Sequence, residues 1–506
     1  MRRAPPAGEM RQAKGRAWPG WRPVFPLHRR RSPPRAHSRE RGNVPSARLL
    51  PHAALFHYTE HSHPAQAHTS WTHPDPPATI HPMSTHPLSW LLSLPSRPLR
   101  DPIWRHIHLP HPLLPLLRTP PFQRLTRIRQ LGPTYLLYPG ATHTRASHSL
   151  GVFSLAWRML LSLAEHPTFP HLTGEEVLGF LIASLLHDLG HYPYTHSLKD
   201  LLLPDGTTLT PHEHLSATLI QEEPLASLIR DAGCDPLIPA AIIDHTLPAP
   251  TPHTPFLRAL LSGVLDPDKL DYLTRDAFFC GVPYGVQDID HILTTIRPTA
   301  SGLAITPSGI PSIEHILFSK YLMYRTVYWH RTVRAATAMM KKAIHHALTE
   351  RIIDPHQLYL LDDAGLLGLL PPTAPAHTLV EDVHKGTLHT CIWEVPYDPA
   401  SPLHRAIEHP PTRSRLEAAL ATLFPSASPL HLILDIPEPL VFETDIHIIT
   451  EDERTIPYTE ARTVFTPGTV HAFTTTIRTI RLFVPPPLAD TPPSPRTIED
   501  TLMEAL

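Results

Sequence analysis

The sequence predicts a mainly α-helical protein with a smaller C-terminal α+β lobe. Apolar residues recur at helical spacing between about residues 120 and 350, as in "SHSLGVFSLAWRMLLSLAEH" and "TGEEVLGFLIASLLHDLGH". Thr173 and Glu176 open the second of these segments at the spacing of a capping box. After about residue 375 the pattern changes to short β-type runs between turn signals, namely "HLILDIP", "LVFETDIHIIT", "EARTVFTP" and "TIRTIRLFVPPP".

The order of these patterns also predicts the domain limits. "RDPIWRHIHL" alternates enough for a short strand or hairpin arm, and further helices are expected across 213–231, 255–278 and 312–350. "SRLEAALATLF" predicts a helix among the C-terminal strands, and a last short helix is expected at the end. We therefore expect a helical domain over 97–350 and an α+β lobe over 351–506.

The N-terminal segment differs from the rest of the chain. Residues 1–86 are rich in Pro, Arg and His and show no hydrophobic periodicity, which is typical of disorder. We expect natural translation to begin near Met83, which would leave the preceding residues as upstream sequence read in frame.

Composition limits the compartment and the partners. Cys234, Cys280 and Cys391 are far apart, which argues against a disulfide framework and favours a reducing, cytoplasmic location. No uninterrupted apolar stretch is long enough to suggest a membrane span. From residue 83 onward 42 Asp and Glu outnumber 31 Lys and Arg, so the body is acidic and binding to nucleic acid is not expected.

The segment "HDLGHYPYTHS" concentrates histidine at the end of an apolar helical run. His187 and Asp188 offer one nitrogen and one oxygen, a ligand pair suited to Mn, Fe or Zn. His191 is expected one turn later on the same helical face, before a proline ends the helix and brings His196 round from a loop. Because the chain has 38 His, two interpretations remain open: a metal site, or a hydrogen-bonded pair at a helix end.

A second polar cluster lies in "DPDKLDYLTRDAFFCGVPYG". On a helix, Asp271 and Arg275 form an i,i+4 pair. The residues expected on the other polar face are Asp268, Tyr272 and Asp276, with Lys269 at its edge. That face combines carboxylates, a phenol and a cation, and its apolar neighbours predict partial burial. The pattern therefore favours a functional surface over a solvated charged helix.

A third helical segment, "LFSKYLMYRTVYWHRTVR", repeats the spacing of four. Lys320, Tyr324 and Tyr328 fall on one face. Aromatic residues at helical spacing usually pack in a core, and this segment alone predicts no more than that.

Taken together, these motifs resemble the HD-domain phosphohydrolases. His148, the pair His187-Asp188, and Asp268 follow the order H…HD…D of that family. The segments "RTPPFQRLTRIRQLGPTYLLYPGATHTRASHSLGV", "HDLGHYPYTHS", "DKLDYLTRD" and "YRTVYWHRTVR" are similar to its deoxynucleoside-triphosphate triphosphohydrolase branch, which includes sterile-alpha-motif-and-HD proteins and bacterial relatives. The resemblance covers residues 97–350 and implies an HD-domain helical core followed by the C-terminal α+β lobe.

The resemblance implies a role for each matching residue. The implied ligands of a divalent metal ion, which would be Mn, Fe, Mg or Zn, are His148, His187, Asp188 and Asp268. The implied catalytic histidines near the scissile α-phosphate are His191, His196 and His212. The implied substrate contacts are Arg145, Lys269 and Lys320 for the triphosphate, Gln130, Tyr272 and Asp276 for the sugar 3′-hydroxyl, and Tyr328 for the sugar face.

The implied reaction is attack of water or hydroxide at the α-phosphorus of a dNTP, which releases a deoxynucleoside and inorganic tripolyphosphate. The family also implies a homo-oligomer, a dimer or tetramer, and a nucleotide activator. Lys320 stands where the family carries Arg, and Ala146 stands where it usually carries an aromatic residue. Arg118 and Thr126 replace the Asp and Arg that read guanine in the vertebrate-type enzymes, which argues against guanine-nucleotide activation of that type.

Two alternatives remain. One is an HD-type phosphohydrolase acting on a nucleoside monophosphate or a signalling nucleotide, although such relatives generally lack the D-K-x-D-Y-x-x-R-D run present here. The other is a non-catalytic nucleotide or nucleic-acid-binding module. A lost metal ligand or a basic body would favour that module, and the sequence shows neither.

Overall fold

The computed structural model describes residues 88–506 apart from residues 200, 301 and 426. The expectations of disorder over 1–86 and of a natural start near Met83 lie outside the described residues. The described residues form a mainly α-helical body with three small sheets, which confirms the predicted fold class. Among them, no helix combines the length and apolarity that crossing a membrane requires.

The helices follow one another along the described chain with short connections. The α-helices are α1 (Ser89–Leu92), α2 (Pro120–Leu125), α3 (Arg145–Ala164), α4 (Gly174–Leu186), α5 (Thr195–Leu198), α6 (His212–Gln221), α7 (Leu225–Asp231), α8 (Leu237–Ile243), α9 (Thr254–Leu261), α10 (Pro267–Cys280), α11 (Ile289–Thr295), α12 (Ile310–Met323), α13 (Arg331–Thr349), α14 (Pro355–Tyr359), α15 (Asp363–Leu367), α16 (His377–Lys385), α17 (Pro402–Glu408), α18 (Pro410–Ala421), α19 (Pro467–Ile477), α20 (Pro486–Ala489) and α21 (Pro495–Glu504). Short 3₁₀ helices are His111–Arg118, Gly132–Leu136, Pro307–Gly309, Pro429–His431 and Tyr458–Glu460, and Tyr324–Tyr328 is a π-helical turn.

The strands make three separate sheets. They are β1 (Ser96–Asp101), β2 (Arg105–Pro110), β3 (Ile296–Thr299), β4 (Gly302–Ile305), β5 (Thr390–Pro396), β6 (Ile433–Asp435), β7 (His447–Ile449), β8 (Thr455–Pro457) and β9 (Thr479–Val484). β1 and β2 form an antiparallel hairpin, as the sequence predicts. The other two sheets have the orders β3-β4-β7-β8, in which β4 and β7 run parallel, and β5-β9-β6.

The centre of the molecule is a helical core in which α3 packs between α4 and α10. Each of these helices begins at a side-chain cap, and each such cap stabilises a helix by about 1 kcal/mol. Thr144 caps α3, Thr173 forms the predicted capping box with Glu176 at the start of α4, and Asp266 caps α10. The caps fix where the first turns of α3 and α10 lie, and both turns meet the end of α4.

The end of α4 differs from its prediction. The helix ends at Leu186, and His191 lies in the turn that follows it, so the expectation that His191 shares a helical face with His187 is wrong. The reason is tertiary. Gly190 donates its amide to Oγ of Ser216 on α6 at 2.8 Å, and a Cβ atom on Gly190 would lie only 2.2 Å from a carbonyl oxygen of α6.

Three predicted helical regions are each interrupted. The region 213–231 divides into α6 and α7, the region 255–278 into α9 and α10, and the region 312–350 into α12 and α13. Between α12 and α13 the amide of Trp329 donates to the carbonyl of Tyr324 at 2.9 Å, which closes a wider π-helical turn. Such turns insert an extra residue and redirect the side chains that follow, often at functional sites.

The C-terminal chain forms two kinds of contact. β5, β9 and β6 share a core with α17, α18 and α21, while Leu440, Phe442 and Ile446 are buried in the central helical core. The boundary at residue 350 stays a prediction.

Two strand predictions differ from the structure. The strand predicted over "LVFETDIHIIT" is limited to His447–Ile449, and the strand predicted over "EARTVFTP" is wrong, because this segment contains none. Residues 436–446, the β6–β7 connection, have no regular structure, and two of their carbonyls accept hydrogen bonds from side chains: Leu440 from Thr474 and Val441 from Lys320.

Candidate active site

Four residues predicted as metal ligands converge where α3, α4 and α10 meet. Nε2 of His148 lies 2.9 Å from Oδ1 of Asp268 and 4.0 Å from Oδ2 of Asp188. The ring of His187 lies edge-on to that of His148, with their centroids 5.3 Å apart. One donor atom from each of His148, His187 and Asp188 lies within 4.8 Å of the others. Residues from three separate helix ends thus form one cluster of two imidazoles and two carboxylates.

The donor set fits a divalent metal ion. Nδ1 of His187 lies 3.0 Å from the carbonyl oxygen of Ser184, which makes Nδ1 the donor and leaves the lone pair on Nε2. That buried Nε2 lies 3.3 Å from Oδ1 of Asp188, yet it has no hydrogen-bond partner in the described part of the chain. Imidazole nitrogen together with carboxylate oxygen suits Mn, Fe and Zn, so the cluster can hold a divalent cofactor.

A fully buried carboxylate orients His148 from behind. Nδ1 of His148 lies 2.8 Å from Oδ2 of Asp271, so Nδ1 is the donor and Nε2 is left facing the cluster. Asp271 also accepts hydrogen bonds from Nε of Arg275 at 2.8 Å and from Nε1 of Trp104 at 2.5 Å. Arg275 in turn donates to Asp101 at 2.9 Å. A buried network that starts in the β1–β2 hairpin therefore holds one predicted ligand in place.

The charges of the cluster favour a bound cation. Burial opposes a charge on His148, but its hydrogen bonds with Asp268 and Asp271 raise its pKa to about 10. Burial also opposes ionisation of Asp188, but its neighbours His191, His187 and Arg145 hold the pKa of this carboxyl well below its usual range. The carboxylates are therefore ionised, and they create a negative potential that a divalent ion would satisfy.

The three predicted catalytic histidines form a second group next to Asp188. The rings of His191 and His212 lie 3.8 Å apart, and Nε2 of His191 is 3.2 Å from Nε2 of His196. Nδ1 of His191 also lies 3.0 Å from Oδ1 of Asp188. Burial, together with nearby cations that include Arg145, lowers the pKa values of His191 and His212. These two imidazoles are therefore neutral at pH 7 and can accept or relay a proton.

One of the predicted triphosphate cations contacts the donor cluster, and the other two meet at a shared carboxylate. Arg145 donates to Oδ2 of Asp188 at 2.9 Å. Nζ of Lys269 lies 2.5 Å from Oε2 of Glu443, and Nζ of Lys320 lies 4.0 Å from Oε1 of the same carboxylate. Arg145 therefore contacts the donor cluster directly, Lys269 directly follows Asp268 in α10, and Glu443 connects Lys269 to Lys320 of α12.

The predicted sugar contacts meet on one side of α10. Asp276 accepts a hydrogen bond from the hydroxyl of Tyr328 at 2.6 Å, and Nε2 of His143 lies 2.8 Å from its other oxygen. Tyr272, one turn before Asp276, is half-buried on the same helix. The backbone N–H of Gln130 donates to the backbone carbonyl of His143 at 3.0 Å. The side-chain oxygen Oε1 of Gln130 is buried and has no hydrogen-bond partner among the described residues. His143 thus connects the backbone of Gln130 to Asp276, which in turn binds Tyr328.

Some residues of this arrangement were not predicted. The sequence indicates the Asp271–Arg275 pair but not its contact with His148, and it shows no sign of the contributions of Trp104 and His143. His143 in "GATHTRASH" could have been noticed from its position beside the matched motif. Glu443 lies far along the chain in a stretch predicted as a strand, and nothing in its local pattern links it to the site.

Comparison with known proteins agrees with this geometry. Residues 145–273 match the model of the HD domain, and residues 287–464 match the model of the HD associated region. The uncharacterized protein YwfO of Bacillus subtilis is 35% identical over 249 residues, which are 49% of this chain and 55% of YwfO. The deoxynucleoside triphosphate triphosphohydrolase SAMHD1 of Danio rerio is 27% identical over 300 residues, which are 53% of this chain and 47% of the relative. The chain thus spans about half the length of these curated relatives.

A solved structure supports the same assignment. The crystal structure of a phosphohydrolase from Bacteroides thetaiotaomicron superposes with a TM-score of 0.59 at 25% identity, covering 77% of this chain and all of the other. The fold and the donor cluster define the class as a metal-dependent phosphohydrolase. More particularly, the chain carries an HD domain over residues 145–273 and the HD associated region over residues 287–464.

Proposed function

We propose that the protein is a metal-dependent deoxynucleoside triphosphate triphosphohydrolase, which converts a dNTP and water into a deoxynucleoside and inorganic tripolyphosphate. One observation carries the proposal: the donor cluster of His148, His187, Asp188 and Asp268 is contacted by Arg145, and Lys269, the residue after Asp268, shares a carboxylate with Lys320. A polyanionic substrate matches that combination, because cations at such a site neutralise phosphate charge. The similarity to SAMHD1, a protein named for this activity, supports the same choice.

In this proposal the four ligands hold a divalent metal ion, which would lower the pKa of bound water and draw charge from the α-phosphoryl oxygen. The bond between the α-phosphorus and the 5′-oxygen breaks, and the leaving oxygen needs a proton. His191, His196 and His212 are grouped within hydrogen-bond or stacking distance of one another, so one of them can hold that proton. Burial keeps His191 and His212 neutral, so either can take a proton from water before passing it on.

Arg145, Lys269 and Lys320 are proposed to hold the triphosphate. Arg145 also donates to Asp188, so it can link the phosphate to the metal ligands. Lys320 keeps the positive charge of the family's Arg but loses its two-pronged geometry. We therefore expect weaker orientation of the phosphate at this position than an Arg would give.

The group formed by Gln130, Tyr272, Asp276 and Tyr328 is proposed to recognise the sugar. Asp276 is held by His143 and Tyr328, which fixes its carboxylate as an acceptor for a 3′-hydroxyl. The Tyr328 ring next to it is proposed to pack on the sugar and to exclude a 2′-hydroxyl. We further propose a cytoplasmic enzyme that works as a dimer or tetramer and responds to a nucleotide activator.

The test is to incubate the purified full chain with each dNTP, alone and in mixtures, with Mn²⁺, Mg²⁺ or Fe²⁺. Formation of deoxynucleoside and tripolyphosphate in equal amounts is expected. Release of orthophosphate or pyrophosphate, or turnover only of monophosphates or cyclic nucleotides, would replace the proposed substrate by another nucleotide. No turnover of any nucleotide, with tight and salt-sensitive binding to single-stranded nucleic acid, would favour a non-catalytic module.

A further inference from the structure

The β6–β7 connection brings a carboxylate between two cations of the proposed phosphate site. Oε2 of Glu443 lies 2.5 Å from Nζ of Lys269, and Oε1 lies 4.0 Å from Nζ of Lys320. One carboxylate therefore contacts the ammonium groups of two helices that are far apart in the sequence. A phosphate group, like this carboxylate, is negatively charged and accepts hydrogen bonds from N–H donors.

All three N–H donors of the Lys269 ammonium group already have acceptors within the protein. An ammonium group has three N–H donors, and Nζ of Lys269 contacts the carbonyl oxygen of Gly263 at 2.7 Å, Oδ2 of Asp266 at 2.7 Å and Oε2 of Glu443 at 2.5 Å. A phosphate oxygen can bind this ammonium only by displacing one of them. Asp266 is buried and caps α10, and Gly263 contributes its backbone, so neither can leave without disrupting the start of that helix.

Glu443 is the partner that can leave. Its side chain is 42% exposed, and it projects from a connection without regular structure. The backbone is anchored on both sides of Glu443: before it, Phe442 is buried and the carbonyl of Val441 accepts a hydrogen bond from Nζ of Lys320 at 2.8 Å, and after it, Ile446 is buried. Rotation of the Glu443 side chain would therefore remove the carboxylate from both lysines without moving the connection, and the ion pair that it breaks is partly exposed.

We propose that Glu443 is a built-in competitor for phosphate, whose carboxylate occupies the anion position between Lys269 and Lys320 and sets the affinity of the site for polyphosphate. This rests on the proposed function to the extent that these lysines bind phosphate. The segment that carries Glu443 belongs to the C-terminal part of the chain, so any movement of that part would change the affinity of the site for its anionic ligand.

The test uses inorganic tripolyphosphate as the probe and calorimetry on the full chain as purified, at fixed ionic strength. Glu443→Gln keeps the size of the side chain and removes its charge, so tripolyphosphate should bind about three- to tenfold more tightly than to the wild type. Asp445→Asn is the matched control, because Asp445 is exposed on the same connection and its substitution changes the net charge by the same amount. It should leave the affinity within about twofold of the wild type.

The double variant Glu443→Gln/Lys320→Gln should lose most of the gain, because phosphate then meets one cation instead of two. Unchanged or weaker binding by Glu443→Gln, an equal gain from Asp445→Asn, or no binding of tripolyphosphate to any variant would each overturn the proposal. Thermal unfolding of every variant checks that the fold is intact. Binding of tripolyphosphate involves no turnover, so failure to hydrolyse dNTPs would refute the proposed function and leave this result standing.

Discussion

Nδ1 of His148 lies 2.8 Å from Oδ2 of Asp271, and this contact joins the candidate metal cluster to the β1–β2 hairpin. Asp271 is fully buried, and its remaining hydrogen bonds come from Arg275 and Trp104. A buried carboxylate with three donors has little freedom to move. The direction in which His148 presents Nε2 is therefore set by residues that do not face the cluster at all.

Asp271→Asn should weaken metal binding by about 10- to 100-fold, because an amide cannot accept from His148 and Arg275 as strongly as a carboxylate. Competition with a chelator, followed by measurement of bound metal, gives the affinity independently of activity. Asp290→Asn, on an exposed side chain of α11, serves as the control and should bind metal like the wild type. Equal affinities for wild type and Asp271→Asn would mean that the contact does not orient His148.

His187→Ala should remove both metal binding and turnover. Because it deletes a direct donor, its effect should exceed the loss expected for an orienting residue and reduce kcat/KM by more than about 100-fold. The measurement is tripolyphosphate release alongside metal content. Activity that survives this substitution would show that the metal ligands are wrongly assigned.

Gly151→Ala should destabilise the fold and disturb the same network. An added Cβ would lie 1.9 Å from Oδ1 of Asp271 and 2.5 Å from a guanidinium nitrogen of Arg275, and both neighbours are buried. We expect a loss of at least about 1 kcal/mol in unfolding free energy, measured by chemical denaturation. Gly468→Ala in α19 has its nearest neighbour 3.8 Å away and should cost nothing. If both variants have wild-type stability, the close packing of α3 on α10 is incorrect.

Tyr328→Phe should reduce selection for the deoxyribose sugar. It removes the 2.6 Å hydrogen bond to Asp276, so we expect kcat/KM for dNTPs to fall about five- to tenfold and the ratio of dNTP to ribonucleotide turnover to drop. Tyr324→Phe, on the same π-helical turn, is the matched variant and should keep the wild-type ratio. An identical sugar preference in both variants would remove Tyr328 from the sugar site.

His389, which lies outside the candidate active site, should make the free energy of unfolding depend on pH. Burial, and secondly the neighbouring His431, lower the pKa of His389 to about 4, against 6.5 when unfolded. Between these values the unfolded chain binds a proton that the folded chain does not, so unfolding free energy falls as pH decreases through that window, by about 2–3 kcal/mol.

Denaturation of His389→Gln at pH values from about 7 to about 4.5 should show a shallower decline than the wild type. His356→Gln replaces an exposed histidine and should follow the wild-type curve. If His389→Gln instead declines as steeply as the wild type, other histidines control the acid sensitivity.

Local signals in the sequence were enough for much of the fold. The capping box at Thr173, the hairpin before residue 110 and the helical character of 120–350 depend on residue types that favour those structures locally. The order H…HD…D likewise pointed to His148, His187, Asp188 and Asp268, and the structure brings these four side chains together at the ends of three helices.

Tertiary contacts decided what no local pattern encodes. α4 ends at Leu186, and α6 packs closely against Gly190 just beyond that end. The segment that contains Glu443 is not a strand, and the carbonyl of Val441 within it accepts a hydrogen bond from the side chain of Lys320 instead of from a neighbouring strand. The approach of Asp271 to His148, and of Glu443 to Lys269 and Lys320, joins residues whose spacing along the chain has no period. Periodicity reports which face of one element is buried, whereas the partner across that face depends on how the elements pack.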